Sequence, residues 1–198
     1  VNALSKKSSH ADSRMPLILD EAARLFRTQG FEGTSMRDIA SAVGMLPGSL
    51  YCHFATKEEL LAAVYVKGVQ QISRAVQDTL ANREDPWDRL EAACVAHLEA
   101  ILRDDDYAQV VVRVRPSDAP TVRAKLIELR NSYEALFTAL VKDLPLPRGT
   151  DRRTWRLMLL GSLNSSPIWY RAGGRSTPQR IARQFVALMR HGQEASYD

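Results

Sequence analysis

The sequence predicts an all-α fold of about nine helices, and three observations carry that reading. Apolar residues recur at intervals of three and four along most of the 198-residue chain. Glycine and proline gather where that period stops. No Val/Ile/Thr-rich alternating segment asks to be a strand, although Val110–Val114 is locally ambiguous.

Residues 1–12 are polar and are expected to form a disordered tail. From Met15 the helical period begins, with Ile18, Ala22, Leu25 and Phe26 on one face, and it stops at Gly30. Ser35, followed three residues on by Asp38, is a capping-box variant that opens a second helix with Ile39, Ala42 and Val43 inward. Gly44 is the turn residue, where a left-handed backbone costs little. Pro47 suits the first turn of a third helix, expected from about Leu46 to Phe54. Thr56-Lys57-Glu58-Glu59 is a second capping box, starting a long helix to about Leu80.

The remainder is helical as well. Pro86-Trp87 opens a fifth helix carrying Leu90, Ala93, His97 and Ile101. Asp104–Asp106 stand where a sixth would begin, since negative charge suits a helix N-terminus. Pro116–Pro120 is a break, and a seventh helix spans about 121–143. The prolines of 144–149 mark a loop. An eighth helix then runs over about 151–171 and a ninth over about 177–192.

Composition excludes little and charge distribution excludes more. Apolar residues make up 45% and charged residues 25%, ordinary for a globular protein. No apolar run approaches the roughly 18–20 residues of a membrane span, and the polar start lacks the apolar core of a secretory signal. The expected location is therefore the cytoplasm, without a membrane partner. Cys52 and Cys94 lie far apart and form no zinc or redox motif, so two reduced thiols are expected. The net charge is +4, yet residues 1–60 hold seven basic and seven acidic side chains, and residues 61–140 hold ten and twelve. The excess sits in residues 141–198, with ten against four. Bulk electrostatics thus cannot argue for nucleic acid at the N-terminus; placed side chains must.

Residues 35–54 supply such placement. Two short helices joined by a glycine-centred turn are the minimal unit that lays one helix in the major groove of DNA. The second has few apolar residues besides Leu50 and Phe54, too few for a core hairpin. Ser49, Tyr51 and His53 point outward together, suited to phosphate oxygens and base edges, while Leu46 and Pro47 suit thymine methyls. Lys57 beside the next helix N-terminus makes a natural phosphate clamp.

Residues 18–64 closely resemble the N-terminal domain of the TetR family of bacterial regulators. The resemblance rests on Gly30-Phe31, Thr34-Ser35, Arg37-Asp38-Ile39-Ala40, Gly44, Gly48-Ser49-Leu50-Tyr51, His53-Phe54 and Lys57-Glu58-Glu59-Leu60-Leu61, in order and spacing. It implies a DNA-binding domain over 13–62 and an effector-binding and dimerisation domain over 63–198. It implies that Arg37 reaches a base edge and that Ser35, Tyr51, His53 and Lys57 hold phosphates. Leu46, Pro47, Ser49 and Cys52 would lie near the groove floor, with Thr34, Met36 and Gly48 completing the contact set. Leu46 and Cys52 depart from the usual pattern, which prefers Ser or Asn at the first and an aromatic or histidine at the second. Lys6, Lys7 and Arg14 are either a minor-groove arm or solvated tail charges.

For the C-terminal part, the resemblance implies that the last two helices form a four-helix bundle with a second subunit. Trp155, Leu159, Ser162 and Leu163 would face the partner, with Ile181, Phe185 and Leu188; alternatively they cover the chain's own core. Helices five to eight should enclose a small-molecule cavity lined by His97, Tyr107, Tyr133, Phe137 and Trp169, although aromatics at this spacing also serve as plain core. Leu160–Asn164 and Trp169–Gly174 resemble a subgroup regulating fatty-acid and steroid catabolism, some responding to acyl-CoA thioesters. The C-terminal arginines would suit an anionic effector group, or form a solvated face.

The implied function is a repressor that leaves a palindromic double-stranded operator when a small molecule binds. An enzyme is disfavoured: there is no glycine-rich phosphate loop and no Ser/His/Asp set that periodicity brings together. Cys94 and His97 are three apart but have no third metal ligand nearby, and Asp104–Asp106 would point in different directions. No cofactor or metal is expected. A nonspecific DNA binder remains the alternative, though it would want a positive N-terminal domain.

Overall fold

The chain is described by a computed structural model over the backbone of residues 4–194 and the side chains of residues 14–192. The described residues form nine α-helices and no strand. These are α1 (Leu4–Gly33), α2 (Met36–Ala42), α3 (Pro47–Tyr51), α4 (Lys57–Asp78), α5 (Pro86–Leu102), α6 (Asp106–Arg113), α7 (Arg123–Lys142), α8 (Arg152–Trp169) and α9 (Pro178–Glu194). Two turns of 3₁₀ helix, Pro116–Asp118 and Pro120–Val122, occupy the expected break before α7.

The helix ends have local causes. Ser35 Oγ accepts the Asp38 N–H at 3.2 Å while the Asp38 carboxylate takes the Ser35 N–H at 2.8 Å, a closed capping box. At the start of α4, Thr56 Oγ1 accepts the Glu59 N–H at 3.1 Å, but the Glu59 carboxylate reaches one residue further back, to the Ala55 N–H. Asp85, Asp105 and Asp151 cap α5, α6 and α8. Gly30 and Gly44 have φ of 78° and 62°, so both stops fall on left-handed backbone that favours glycine.

Two expectations are corrected. The backbone is helical from Leu4, where an irregular tail was expected, and residues 1–3 lie outside the described residues. Pro16 stands inside α1, and the backbone is helical on both sides of it. The third helix ends at Tyr51 and not Phe54; its last residues turn to bring Phe54 inward. The ambiguous Val110–Val114 is helical through Arg113, because the Asp105 cap starts α6 and Tyr107 and Val110 bury against the N-terminal core.

There are two cores. The first joins α1–α3 to the N-terminal half of α4, α6 and the start of α7. The second joins the C-terminal half of α4 to α5, α7, α8 and α9. Helix α4 runs through residues 62 and 63 without a break and contributes Val64 and Val69 to one core, Ile72 and Val76 to the other. Helix α6 lies across α4 at Gly68, where a Cβ would sit 2.7 Å from the Tyr107 carbonyl oxygen. Only glycine permits that approach. No helix among the described residues is long and apolar enough to cross a membrane.

Candidate DNA-reading head and effector cavity

Helix α3 stands on Leu50, its one fully buried residue, and turns the rest of its surface outward. Leu46 is 77% and Tyr51 51% exposed; Arg37, Pro47, Gly48, Ser49 and Cys52 are exposed as well. The side chains of Arg37, Ser49, Tyr51 and half-buried His53 form no hydrogen bond with the described residues. They are unpartnered polar groups of α2, α3 and the residues just after α3. Ser35 and Gly48 are exposed there too, with the Ser35 hydroxyl engaged by Asp38.

Three expected DNA contacts are spoken for inside the domain. Thr34 is buried and donates to the carbonyls of Gly30 and Leu25 at 2.8 and 3.3 Å, closing the chain after the Gly30 kink. Met36 is buried in the first core, because it lies on the same face of α2 as Ile39 and Ala40. Lys57 donates to the Phe31 carbonyl at 2.7 Å and sits 4.3 Å above the Phe31 ring, a tie between α1 and α4 that competes with any phosphate. Arg14 is exposed, whereas the Lys6 and Lys7 side chains lie outside the described residues.

Between α4, α5, α6, α7 and α8 lies a cavity of about 180 Å³. Of the five side chains expected there, His97 and Tyr133 line it. Phe137 stands one layer behind, edge-on to both at 5.8 and 5.7 Å. Tyr107 points from α6 toward α1, where its hydroxyl donates to Asp20 at 2.6 Å and receives Lys67 at 2.8 Å. Trp169 is half exposed beyond the cavity, edge-on to Phe185. Aromatic spacing missed the rest of the wall, which is mostly aliphatic from α4, α5, α6 and α8, with Tyr65, Arg115, Arg130, Glu134 and Asn164 added. The signal available was Val110–Val112, an apolar run with no strand to belong to.

His97 is the buried polar group of this wall. Its Nε2 lies 3.1 Å from Asn164 Oδ1, which only accepts, so Nε2 carries the proton and Nδ1 accepts from the Tyr133 hydroxyl at 2.6 Å. Burial lowers the imidazole pKa from 6.5 to about 4, with the Asn164 hydrogen bond opposing weakly. Between those values the unfolded chain holds a proton that the folded chain lacks, so stability is present above pH 6.5 and is lost as pH falls toward 4. At about 1.4 kcal/mol per unit the whole shift is worth roughly 3 kcal/mol. We expect acidification from pH 7 to 4.5 to lower the urea midpoint more in the parent chain than in His97→Gln; equal losses would show that His97 titrates normally.

Helix α6 joins the two regions. Arg27 of α1 pairs with Asp106 at 2.8 Å and with Asp104, and Arg113 donates to the Arg27 carbonyl at 3.4 Å. The opposite flank of α6, at Val111 and Val112, lines the cavity. The acidic run 104–106 is therefore a clasp on the N-terminal domain, with Asp105 as the helix cap.

The subunit face also differs from expectation. Trp155, Leu159, Leu163 and Ile181 are buried in the chain's own core, Trp155 edge-on to Trp87 at 6.1 Å. These belong to the inner stripe of α8 and α9, which α5 covers. Phe185 is half-buried against Trp169, while Ser162 is exposed and Leu188 is 71% exposed. The outer face carries Leu157, Met158, Gly161, Ser162, Ser165 and Ile168, at the recurrence of a second helical stripe. Met158 is 61% and Ile168 86% exposed.

A two-domain helical chain that presents a short, unpartnered helix after a glycine turn belongs to the helix-turn-helix DNA-binding regulators. Residues 18–64 match the family described as bacterial regulatory proteins, tetR family, and residues 83–193 match the tetracyclin repressor-like C-terminal domain. The protein is a member of the TetR family of transcriptional regulators. It is 29% identical over 196 residues to the HTH-type transcriptional repressor KstR2 of Mycobacterium tuberculosis, covering 96% of this chain and 97% of that one. It is 26% identical over 163 residues to the transcriptional activator FasR of Mycolicibacterium smegmatis, covering 80% and 73%. Among solved structures, AibR in complex with isovaleryl coenzyme A and operator DNA superposes with a TM-score of 0.76 at 26% identity, covering 88% and 97%. KstR2 and FasR are both named as regulators of transcription.

Proposed function

We propose that this protein is a homodimeric repressor that reads a palindromic operator and is released by a small hydrophobic anion, an acyl-CoA thioester being one form such an effector takes. The observation that carries the reading is the double engagement of α6. One flank is clasped to α1 of the reading head through Arg27, and the other lines the cavity. A ligand that fits the cavity better in one α6 position biases the spacing of the two heads through differential binding. KstR2 is named a repressor, and the AibR structure holds isovaleryl coenzyme A together with operator DNA, which supports the repressor and effector parts of the proposal.

Arg37, Ser49, Tyr51 and His53 are the proposed DNA contacts, with Leu46, Pro47, Gly48 and Cys52 at the groove floor and Ser35 beside them. Fluorescence anisotropy against DNA from upstream of its own gene tests this. Saturable, salt-sensitive binding is expected, and its absence at micromolar protein would sink the proposal. Scrambled DNA should bind about a thousandfold more weakly; equal affinity would favour a nonspecific binder. Arg37→Ala should weaken operator binding about 10- to 100-fold and relax preference at one base pair, as expected for a base-reading arginine.

A further inference from the structure

We propose that the effector is a compact free carboxylic acid, its apolar body inside the cavity and its carboxylate held between Arg115 and Arg130. This rests on the effector-responsive reading above and narrows it. Size is the first argument. About 180 Å³ equals the volume of roughly six waters at about 30 Å³ each and falls below the roughly 300–1,000 Å³ of pockets for drug-sized ligands. A single ring or a short branched chain fills it.

Charge is the second. The ionised groups lining the cavity are Arg115, Arg130 and Glu134, and His97 is held neutral by burial. Glu134 lies 2.7 Å from Arg156 but 3.7 Å from Arg130, so its carboxylate is committed to the arginine behind it. Arg115 forms no ion pair among the described residues. Arg130 thus has only a long pairing with a carboxylate engaged elsewhere and Arg115 has none among the described residues, and an incoming carboxylate completes the set with bidentate, charge-assisted hydrogen bonds.

Position is the third. Both arginines belong to the cavity wall itself, and the Tyr65 hydroxyl, pushed up by burial, feels the Arg130 charge pulling the other way. An anion attached directly to the apolar body meets them. The phosphates of a coenzyme A thioester stand a pantetheine arm away from its acyl group and would pass beyond.

Calorimetry on the full chain, free of DNA and effector, decides, with cyclohexanecarboxylate, its amide and its coenzyme A thioester as probes. The acid is expected to bind saturably, the amide at least about tenfold more weakly, since a charge-assisted contact exceeds a neutral one by about 1.4 kcal/mol or more. Arg115→Gln and Arg130→Gln should each weaken the acid about tenfold, with Arg130→Lys recovering part of the loss and circular dichroism verifying the fold. An amide that binds as well as the acid overturns the proposal. So does a thioester that binds where the acid does not; if that thioester releases operator DNA, the regulator reading survives alone. An acid that binds without moving operator affinity upholds the site and removes its role in release.

Discussion

A chain carrying Phe137→Ala is expected to lose about 3–5 kcal/mol of stability, the largest effect of any single truncation considered for this protein. Phe137 is fully buried, and its ring meets His97 and Tyr133 edge-on at interplanar angles of 79° and 67°. Alanine removes the ring but not the shape around it, so a void remains beside the 180 Å³ cavity. Two losses add: transfer of the phenyl group, and the contacts that His97 and Tyr133 forfeit. Urea denaturation at pH 7 measures the sum through a lower midpoint at unchanged slope. A loss under about 1 kcal/mol would mean that Phe137 is not part of a packed core. The same variant enlarges the space behind His97, so bulkier ring acids should gain affinity relative to cyclohexanecarboxylate.

The double substitution Met158→Asp and Leu188→Asp should leave a folded monomer that binds operator at least about a hundredfold more weakly, because one reading head engages one half-site. Neither residue supports the chain's own core: they are 61% and 71% exposed on the outer faces of α8 and α9. Beside Met158, a methyl group added at Gly161 would meet nothing within 4 Å, and Ser162 is exposed, leaving room for a close-approaching partner helix. A carboxylate trapped in such a contact without a partner costs several kcal/mol, so association fails before folding does. Sedimentation velocity reads the mass and circular dichroism the fold. A dimer that persists with both aspartates would place the interface elsewhere.

The reading head was largely legible because its information is local. Ser35 and Asp38 close a cap over three residues, and Gly30 and Gly44 mark stops that need positive φ. The exposed faces of α3 follow from its single buried Leu50. Met36 failed on its own helix, lying on the α2 face of Ile39 and Ala40, while Thr34 and Lys57 failed through contacts with α1. Thr34 and Lys57 are polar residues next to the motif, yet carbonyls of α1 claim both.

The cavity was less legible. Periodicity grouped residues on helix faces but could not say what each face meets, and Ile181 and Leu188, grouped on one face of α9, are respectively buried and 71% exposed. Tyr107 and Val111 are one turn apart on α6; the first meets Asp20 and Lys67, the second lines the cavity. Trp155 and Met158 are three apart on α8, and one is core while the other is surface.

By itself, then, the sequence determined the all-α class, the order of the helices and most of their ends, and the helix-turn-helix with its outward polar face. Those depend on caps, turn glycines and hydrophobic period, all of which act within a few residues. Only the tertiary structure decided which buried aromatics stand at the cavity, which stripe of α8 is free for a partner, and that Asp104 and Asp106 clasp Arg27. Each is a contact between residues far apart in the chain, set by how helices cross, and Gly68 shows the kind of close approach on which such crossings depend.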